Sequence, residues 1–443
     1  MKKSLFMLNE PDYPKKNFVL LFNTLTKSVS IIAERYFDSI QAGDWNAIPE
    51  DLLEQLYSQG FILKDDESEE AALNMFFTKI KTQYPLYSTM ILTSYNCNMQ
   101  CTYCFENSIK NNLATMTEQT AHDVCKFLMD EFAVYNPEQI SIVFSGGEPF
   151  LNLPAAEVIA SKIKKFADKT GKKFSFGFLT NGTIPFQKET ASALRENGLD
   201  FLQYTLDGSR EIHNQRRKMG DGSYDIIMEN IYNNYKTLGI NTLVRINIDR
   251  ENTDFLDGLL IDLKNLNIPN LTIDCAPRFK TPNDSCRINH FVLNNSQIGN
   301  EIIKFLKKVN KAGLHHSRRF TDLCPCLAVT PRQFVIDPIG DLYKCAGFAG
   351  IKNFSVGSIY EKKLNKMYTQ VVGLENWQKC KHCEFVPMCA GGCLLLNHIE
   401  NKDFRKKTCQ YEVLKGTVMQ TLLQSLNKNN ILENEYFMEA VNG

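Results

Sequence analysis

The chain has no excess charge of either sign: Lys plus Arg and Asp plus Glu both number 50 among its 443 residues. A balanced chain offers no broad field to draw in nucleic acid or an anionic membrane surface. Long hydrophobic runs are also missing, and none approaches the roughly 18 residues that would cross a bilayer. The opening Met1-Lys2-Lys3-Ser4-Leu5-Phe6-Met7-Leu8 begins like a secretory signal, but Asn9-Glu10-Pro11-Asp12 ends the apolar stretch early. A cytoplasmic protein with neither a nucleic-acid nor a membrane partner is expected. What the chain does have is cysteine, 14 residues of it. The cytosol keeps thiols reduced, so these read as metal ligands rather than disulfides. Eleven of them fall in two groups, at 97–104 and 324–409, whereas Cys125, Cys275 and Cys286 are scattered. Cys125 lies on a helix-like face and reads as a small core residue.

The first group, Cys97-Asn98-Met99-Gln100-Cys101-Thr102-Tyr103-Cys104, is a C-x3-C-x2-C run just after the strand-like Met90-Ile91-Leu92-Thr93. Three thiolates on one loop can hold three irons of a [4Fe-4S] cluster and leave the fourth open for chemistry. Zinc sites typically pair two cysteine knuckles around four ligands, and this run supplies three. The arrangement resembles the signature of the radical S-adenosylmethionine (SAM) superfamily, with Tyr103 in its aromatic position. That resemblance implies that the amino and carboxylate groups of SAM chelate the open iron.

The length allows two or three domains. Residues 1–85 read as a small α+β unit: Phe18-Val19-Leu20-Leu21-Phe22 and Ser28-Val29-Ser30-Ile31-Ile32 flank a polar turn as a hairpin. Pro49-Glu50-Asp51 opens a helix through Tyr57, closed by Gly60, and Phe61-Ile62-Leu63 reads as a strand. The acidic run 65–70 reads as a solvated linker or helix start. The unit loosely resembles winged-helix-like peptide-binding modules of peptide-modifying enzymes, and a structural cap fits the pattern equally. From 86 to 312, strands at Ser88–Thr93, Ile140–Ser145, Phe174–Thr180, Phe201–Leu206, Leu243–Ile248 and Leu271–Cys275 alternate with amphipathic segments at Glu118–Tyr135, Ala155–Thr170, Thr190–Asn197 and Asp225–Leu238. Six βα units make an α/β fold with a parallel sheet, a partial (β/α)6 TIM-like barrel whose strand C-termini carry the site. Residues 313–443 form a cysteine-rich third unit. His315-His316 and Arg318-Arg319 read as a solvated loop before it, and Glu412–Asn427 as an amphipathic helix.

Ser145-Gly146-Gly147-Glu148-Pro149 closes the second strand. Glycines allow close backbone approach there, so strand-end carbonyls and the Glu148 carboxylate could meet a ligand ammonium group. Placed after the three-cysteine loop, Gly146, Gly147, Glu148 and Pro149 resemble the superfamily's methionine-binding motif. Thr180 and Asn181 close strand three, where related enzymes place polar groups near SAM. Thr205-Leu206-Asp207-Gly208 closes strand four and precedes His213-Asn214-Gln215-Arg216-Arg217, resembling an H-D-x-x-R element with Asn214 in place of the aspartate. Arg217 could bind the SAM carboxylate through its fork or serve as a capping or ion-pair arginine. Asp207 could form a turn.

Downstream, Cys326 and Gly340-x4-Cys345 precede Cys380-x2-Cys383-x5-Cys389-x3-Cys393 and Cys409. This resembles the seven-cysteine SPASM extension of radical SAM enzymes. The resemblance implies that Cys326, Cys345 and Cys393 ligate one auxiliary [4Fe-4S] cluster, with Cys324 the nearest candidate for a fourth ligand. Cys380, Cys383, Cys389 and Cys409 would ligate a second, closed one, giving three clusters in all. A single zinc ribbon would leave several of these thiols unused.

The resemblance implies SAM cleavage to a 5′-deoxyadenosyl radical, fed by an external donor of the flavodoxin or ferredoxin type. The protein's task is then to place a substrate C–H bond against that radical. Three functions follow: maturation of a ribosomally made peptide through a thioether or other crosslink, formylglycine formation on a sulfatase, or a non-catalytic iron–sulfur module. Sulfatase-maturing relatives begin close to their SAM motif and carry an aspartate base after the cysteine of the G-x4-C element. Here the motif starts at Cys97 and Ala346 follows Cys345, which favours the peptide. No catalytic residue is assigned: Asp249 and Asp274 sit near strand ends, where structural roles explain them equally well.

Overall fold

In the computed structural model, the described residues are 1–83, 85–104, 106, 114–269, 271–278, 295–316, 326–361 and 363–428. Cys286, Cys324, Arg318 and Arg319 lie outside them. Six strands run side by side: β1 (Leu86–Ser94), β2 (Gln139–Gly146), β3 (Lys173–Thr180), β4 (Leu199–Thr205), β5 (Asn241–Ile248) and β6 (Leu271–Pro277). Every neighbouring pair is parallel, as the alternating sequence pattern required. Helices α1 (Glu118–Tyr135), α2 (Leu153–Thr170), α3 (Lys188–Glu196), α4 (Tyr224–Leu238), α5 (Asp257–Asn265) and α6 (Asn295–Lys311) fall between or after them.

The core follows from strand alternation. Ile142, Phe144, Phe176, Phe178, Val244 and Ile246 point to one face and pack with helix residues such as Leu128, Ile159 and Ile231. Each such side chain contributes about 1.5–3 kcal/mol on burial. Thr117 caps α1 by accepting the Thr120 N–H. Cys125 on that helix is fully buried in the core, as its spacing indicated.

Two additions extend the sheet to ten strands. On the far edge, His315–His316 pairs with β6, so this pair is a short edge strand rather than the expected solvated loop. On the near edge, β7 (Gln333–Ile336) lies parallel to β1, Gln333 opposite Ser88 and Ile336 opposite Ile91. It turns back antiparallel into β8 (Asp341–Tyr343), and the tenth strand, Gly357–Ser358, pairs antiparallel with β8. The sheet therefore runs on past residue 313 into the cysteine-rich region.

The N-terminal residues form a three-stranded antiparallel sheet, Met7–Pro11, Phe18–Asn23 and Val29–Ala33, followed by helices Glu34–Ala42, Glu50–Ser58 and Glu69–Gln83. Part of the acidic run opens the last of these helices. Both faces of this sheet are covered, which explains the unbroken apolar run at 18–22. Val19, Leu21 and Ile32 pack on the unit's own helices. Leu20, Phe22 and Ile31 pack on Phe385, Met388 and helix α7 (Tyr411–Lys428), close to the helix expected at 412–427. Phe77 stacks on Trp377 with centroids 4.7 Å apart, and Lys81 Nζ donates to the carbonyls of Val372 and Leu374. The first 83 residues are thus anchored to the cysteine-rich region. Among the described residues no helix is long and apolar enough to cross a membrane.

Candidate functional site

The three-cysteine loop leaves the C-terminal end of β1, and the ends of β2 and β3 grip it. The Gly147 N–H donates to Ser94 O at 2.9 Å and the Glu148 N–H to Asn96 O at 2.8 Å. This approach is why glycines stand here. A Cβ on Gly146, whose φ is +129°, would lie 2.2 Å from Ser94 O, and one on Gly147 would lie 2.3 Å from Asn96 O. Pro149 opens the 3-10 turn Pro149–Asn152 that leads into α2.

Glu148 is fully buried and its carboxylate is spoken for. Oε1 accepts the Thr180 hydroxyl at 2.8 Å and the Phe150 N–H at 3.0 Å, and Oε2 accepts the Asn181 N–H at 2.7 Å. Burial raises its pKa, and the three donors oppose that rise. Glu148 therefore straps β2 to β3 and fixes Asn181. The Asn181 amide in turn donates to Asn98 Oδ1 at 2.8 Å and sits 3.7 Å from Cys97 Sγ. Burial raises the Cys97 thiol, with Glu148 and Cys101 adding to the rise.

Cys101 is held from the other side by the short antiparallel pair Gln100–Cys101 with Arg217–Lys218. This brings Tyr103 into a buried polar cluster. Its hydroxyl donates to Asp207 and accepts from Arg217 Nη1 at 2.8 Å and Asn247 Nδ2 at 3.2 Å. The guanidinium groups of Arg216 and Arg278 lie 5.4 and 5.2 Å from the centre of its ring. Burial opposes the charge of Arg217, but Tyr103, Cys101 and Asp207 outweigh it and raise its pKa. Arg216 forms a bidentate pair with buried Asp249, at 3.2 and 2.6 Å, and Arg278 Nη1 approaches the same carboxylate at 3.6 Å. Asp274 pairs with Arg245 at 3.0 Å.

Other residues singled out in the sequence have local duties. Asn214 accepts the N–H groups of Ser223 and Tyr224 at the start of α4. His213 is fully buried against Ser223, and burial followed by Arg217 and Arg216 lowers its pKa to about 3, so it is neutral. Thr205 ends β4 opposite Arg245 of β5. Arg216 and Arg278 escaped sequence reasoning. Arg278 directly follows the end of β6, a position that the strand-end rule marks once that strand is extended to Pro277.

The downstream cysteines gather in two places. Burial pushes the Cys345 thiol to about 12, with Cys326 and Cys393 close enough to add to the rise. Cys383 is raised by burial and then by Glu384, Cys380 and Cys409, and Cys389 is pushed to about 11 by burial, with Cys380 and Cys383 nearby. Lys344, beside Cys345, is buried, and its ammonium donates to the carbonyls of Thr330 and Gln333. None of the twelve described cysteines is joined in a disulfide. Among the described residues no three His, Cys, Asp or Glu side chains converge on a single-ion site. A four-iron cluster spreads its ligands over a wider shell, and the donor sets, all thiol and undisulfided, have the chemistry such a cluster takes.

The structure sets a three-cysteine loop at the end of the first strand of a large, mostly parallel α/β sheet. Residues 91–255 match the family model described as the radical SAM superfamily, so the chain carries a radical SAM domain and is an enzyme. This implies a [4Fe-4S] cluster and SAM as cofactors. The chain is 27% identical over 331 residues to a cysteine-type anaerobic sulfatase-maturating enzyme of Clostridium novyi (strain NT), spanning 68% of this chain and 85% of that protein. It is 24% identical over 352 residues to the antilisterial bacteriocin subtilosin biosynthesis protein AlbA of Bacillus subtilis (strain 168), spanning 74% and 71%. The fold superposes on native anSMEcpe with bound AdoMet and Cp18Cys peptide with a TM-score of 0.59 at 20% identity, covering 77% of this chain and 99% of that one. It superposes on Streptococcus suis SuiB bound to precursor peptide SuiA with a TM-score of 0.54 at 13% identity, covering 93% and 99%.

Proposed function

We propose that the chain is a SPASM-type radical SAM maturase that acts in the cytoplasm on a ribosomally made peptide and installs a thioether or other crosslink. Cys97, Cys101 and Cys104 would hold the SAM-binding cluster, which with SAM supplies a 5′-deoxyadenosyl radical when bound. Gly146, Gly147, Pro149, Thr180, Asn181, Thr205 and Arg217 would border the SAM pocket, and Glu148 would set Asn181 in place. Cys326, Cys345 and Cys393, with Cys324 as nearest candidate fourth ligand, would hold one auxiliary cluster. Cys380, Cys383, Cys389 and Cys409 would hold the other. The N-terminal sheet, packed on this last group through Leu20 and Phe22, would receive part of the peptide. A flavodoxin or ferredoxin would supply electrons.

The observation that carries this reading is the fate of the carboxylates. Ala346 replaces the aspartate base of sulfatase-maturing relatives. The two candidate substitutes are engaged, Asp249 by Arg216 and Arg278, and Asp274 by Arg245. Formylglycine formation is the second reading, favoured by the similarity to the Clostridium novyi enzyme. Anaerobic co-expression with a candidate short peptide, followed by tandem mass spectrometry, separates the two. Loss of two hydrogens together with a thiol that no longer alkylates supports the crosslink, and an aldehyde product overturns it in favour of formylglycine.

A further inference from the structure

Sulfur atoms of the second downstream cysteine group receive hydrogen bonds from several sides. Cys389 takes the backbone N–H groups of Gly391 and Gly392, and Cys383 takes that of Phe385. Gly391 and Gly392 stand at φ +85° and +101°, which folds the chain back over the thiol, and a Cβ on Gly391 would lie 2.5 Å from the carbonyl carbon of Asn376. These donors are neutral. Cys380 has a charged one: Lys407 Nζ donates to its Sγ at 3.3 Å and to Lys379 O at 3.3 Å. Cys409 and Cys383 also lie near enough to act on that ammonium.

The surroundings hold this contact in place. Thr408, the next residue, is buried, and its N–H donates to Asn397 Oδ1 at 2.7 Å. Asn401 Nδ2 donates to Lys406 O at 3.4 Å, and Lys379 Nζ to Arg405 O at 2.8 Å, so both sides of Lys407 are tied to the loop that carries Cys380. Neighbouring cations are directed elsewhere, Lys381 to Glu70 at 3.1 Å and Arg405 to Asp403 at 3.0 Å. Lys407 itself is exposed, and its ammonium is given to sulfur.

We propose that Lys407 sets the reduction potential of the group held by Cys380, Cys383, Cys389 and Cys409, raising it through the bond from its ammonium to the Cys380 sulfur. The proposal rests on the reading that these four cysteines hold a [4Fe-4S] cluster. Net charge and hydrogen bonds to the sulfurs are among the features that fix such a cluster's potential, and a bond from a charged donor is roughly twice as strong as a neutral one. Reduction adds one negative charge, so the ammonium stabilises the reduced form more than the oxidised one. One electron enters and no bond forms or breaks; in the test, dithionite supplies it. The effect acts through Cys380, which makes Lys407 a positioning residue for the electron.

The test is an anaerobic redox titration of the full reconstituted chain, followed by electron paramagnetic resonance. The signal altered in Cys409→Ala identifies the cluster. Lys407→Met should make that cluster about ten-fold harder to reduce, a fall of about 59 mV, at roughly 20 mM salt. The size is that of a bond to a charged group, discounted for the exposure of the ammonium. Other signals should stay where they are, Lys407→Arg should restore most of the loss, and the gap should narrow at about 0.5 M salt, where exposed charge is screened. An unchanged potential in Lys407→Met overturns the proposal. So does an equal shift of every signal, or a Lys407→Arg variant no better than Lys407→Met. If Cys409→Ala alters no signal, the four-cysteine reading itself falls, and the proposal with it.

Discussion

Replacement of Asp337 by Asn should stabilise the protein at neutral pH. Asp337 follows β7 in the turn to β8 and is 2% exposed. Its Oδ1 accepts the N–H groups of Ile339 at 3.1 Å and Asp341 at 2.8 Å, and its Oδ2 accepts the Tyr95 hydroxyl at 3.2 Å. Burial raises its pKa from 3.8 to about 6 against the pull of these donors. Because the folded value exceeds the unfolded one, the unfolded chain ionises first. Stability from this group is therefore whole below 3.8, falls as pH rises, and is gone above 6. At 1.36 kcal/mol per pH unit the loss is about 3 kcal/mol. An Asn side chain keeps every bond: its carbonyl accepts the same two N–H groups, and its amide donates to the Tyr95 oxygen. In urea denaturation followed by tryptophan fluorescence, Asp337→Asn should exceed the parent by up to about 3 kcal/mol at pH 7.5, with the gain nearly gone at pH 4. A variant less stable than the parent at pH 7.5, or a gap that does not change with pH, would refute the reasoning.

Glu148→Gln keeps the shape of the strap but sets an amide NH2 against a backbone N–H, whichever way it is turned. It should cost about 2 kcal/mol in urea denaturation, and Glu148→Ala, which abandons three donors, about twice that. Gly147→Ala drives a methyl group into the Asn96 carbonyl and should weaken SAM binding at least ten-fold by equilibrium dialysis; unchanged affinity would mean that the loop yields freely. Phe77→Ala removes the stack on Trp377 and should cost about 3 kcal/mol, with faster proteolysis of the first 83 residues. Cys97→Ala should abolish release of 5′-deoxyadenosine while most iron is retained, and turnover at the parent rate would dismiss that loop as the SAM site.

Much of the parallel sheet was legible in the sequence because its signals are local. The α1 helix was readable end to end from its apolar spacing, and the six strands to within two residues at either end. The Gly146-Gly147 pair announced a close approach whose target, the Ser94–Asn96 stem, only the structure supplies. Illegible features were those made by distant pairings. Nothing in Gln333-Phe334-Val335-Ile336 says that it joins β1, since a short apolar strand does not name its neighbour. Glu148 was read as facing a ligand, because a sequence does not show that Thr180, Phe150 and Asn181 converge on its oxygens. Arg278 went unread because it depends on where β6 stops.

The pairing of β7 with β1 also sets an order of events on the ribosome. Thr89 and Phe334 are bonded across a sequence separation of 245 residues. At 5–20 residues per second, β1 emerges roughly 12–50 s before the strand that covers its edge. For that interval the nascent sheet presents an unpaired edge next to its cysteine loop, the kind of edge that recruits other chains. Production of this enzyme should therefore respond to translation speed and chaperone supply more sharply than its final stability would suggest.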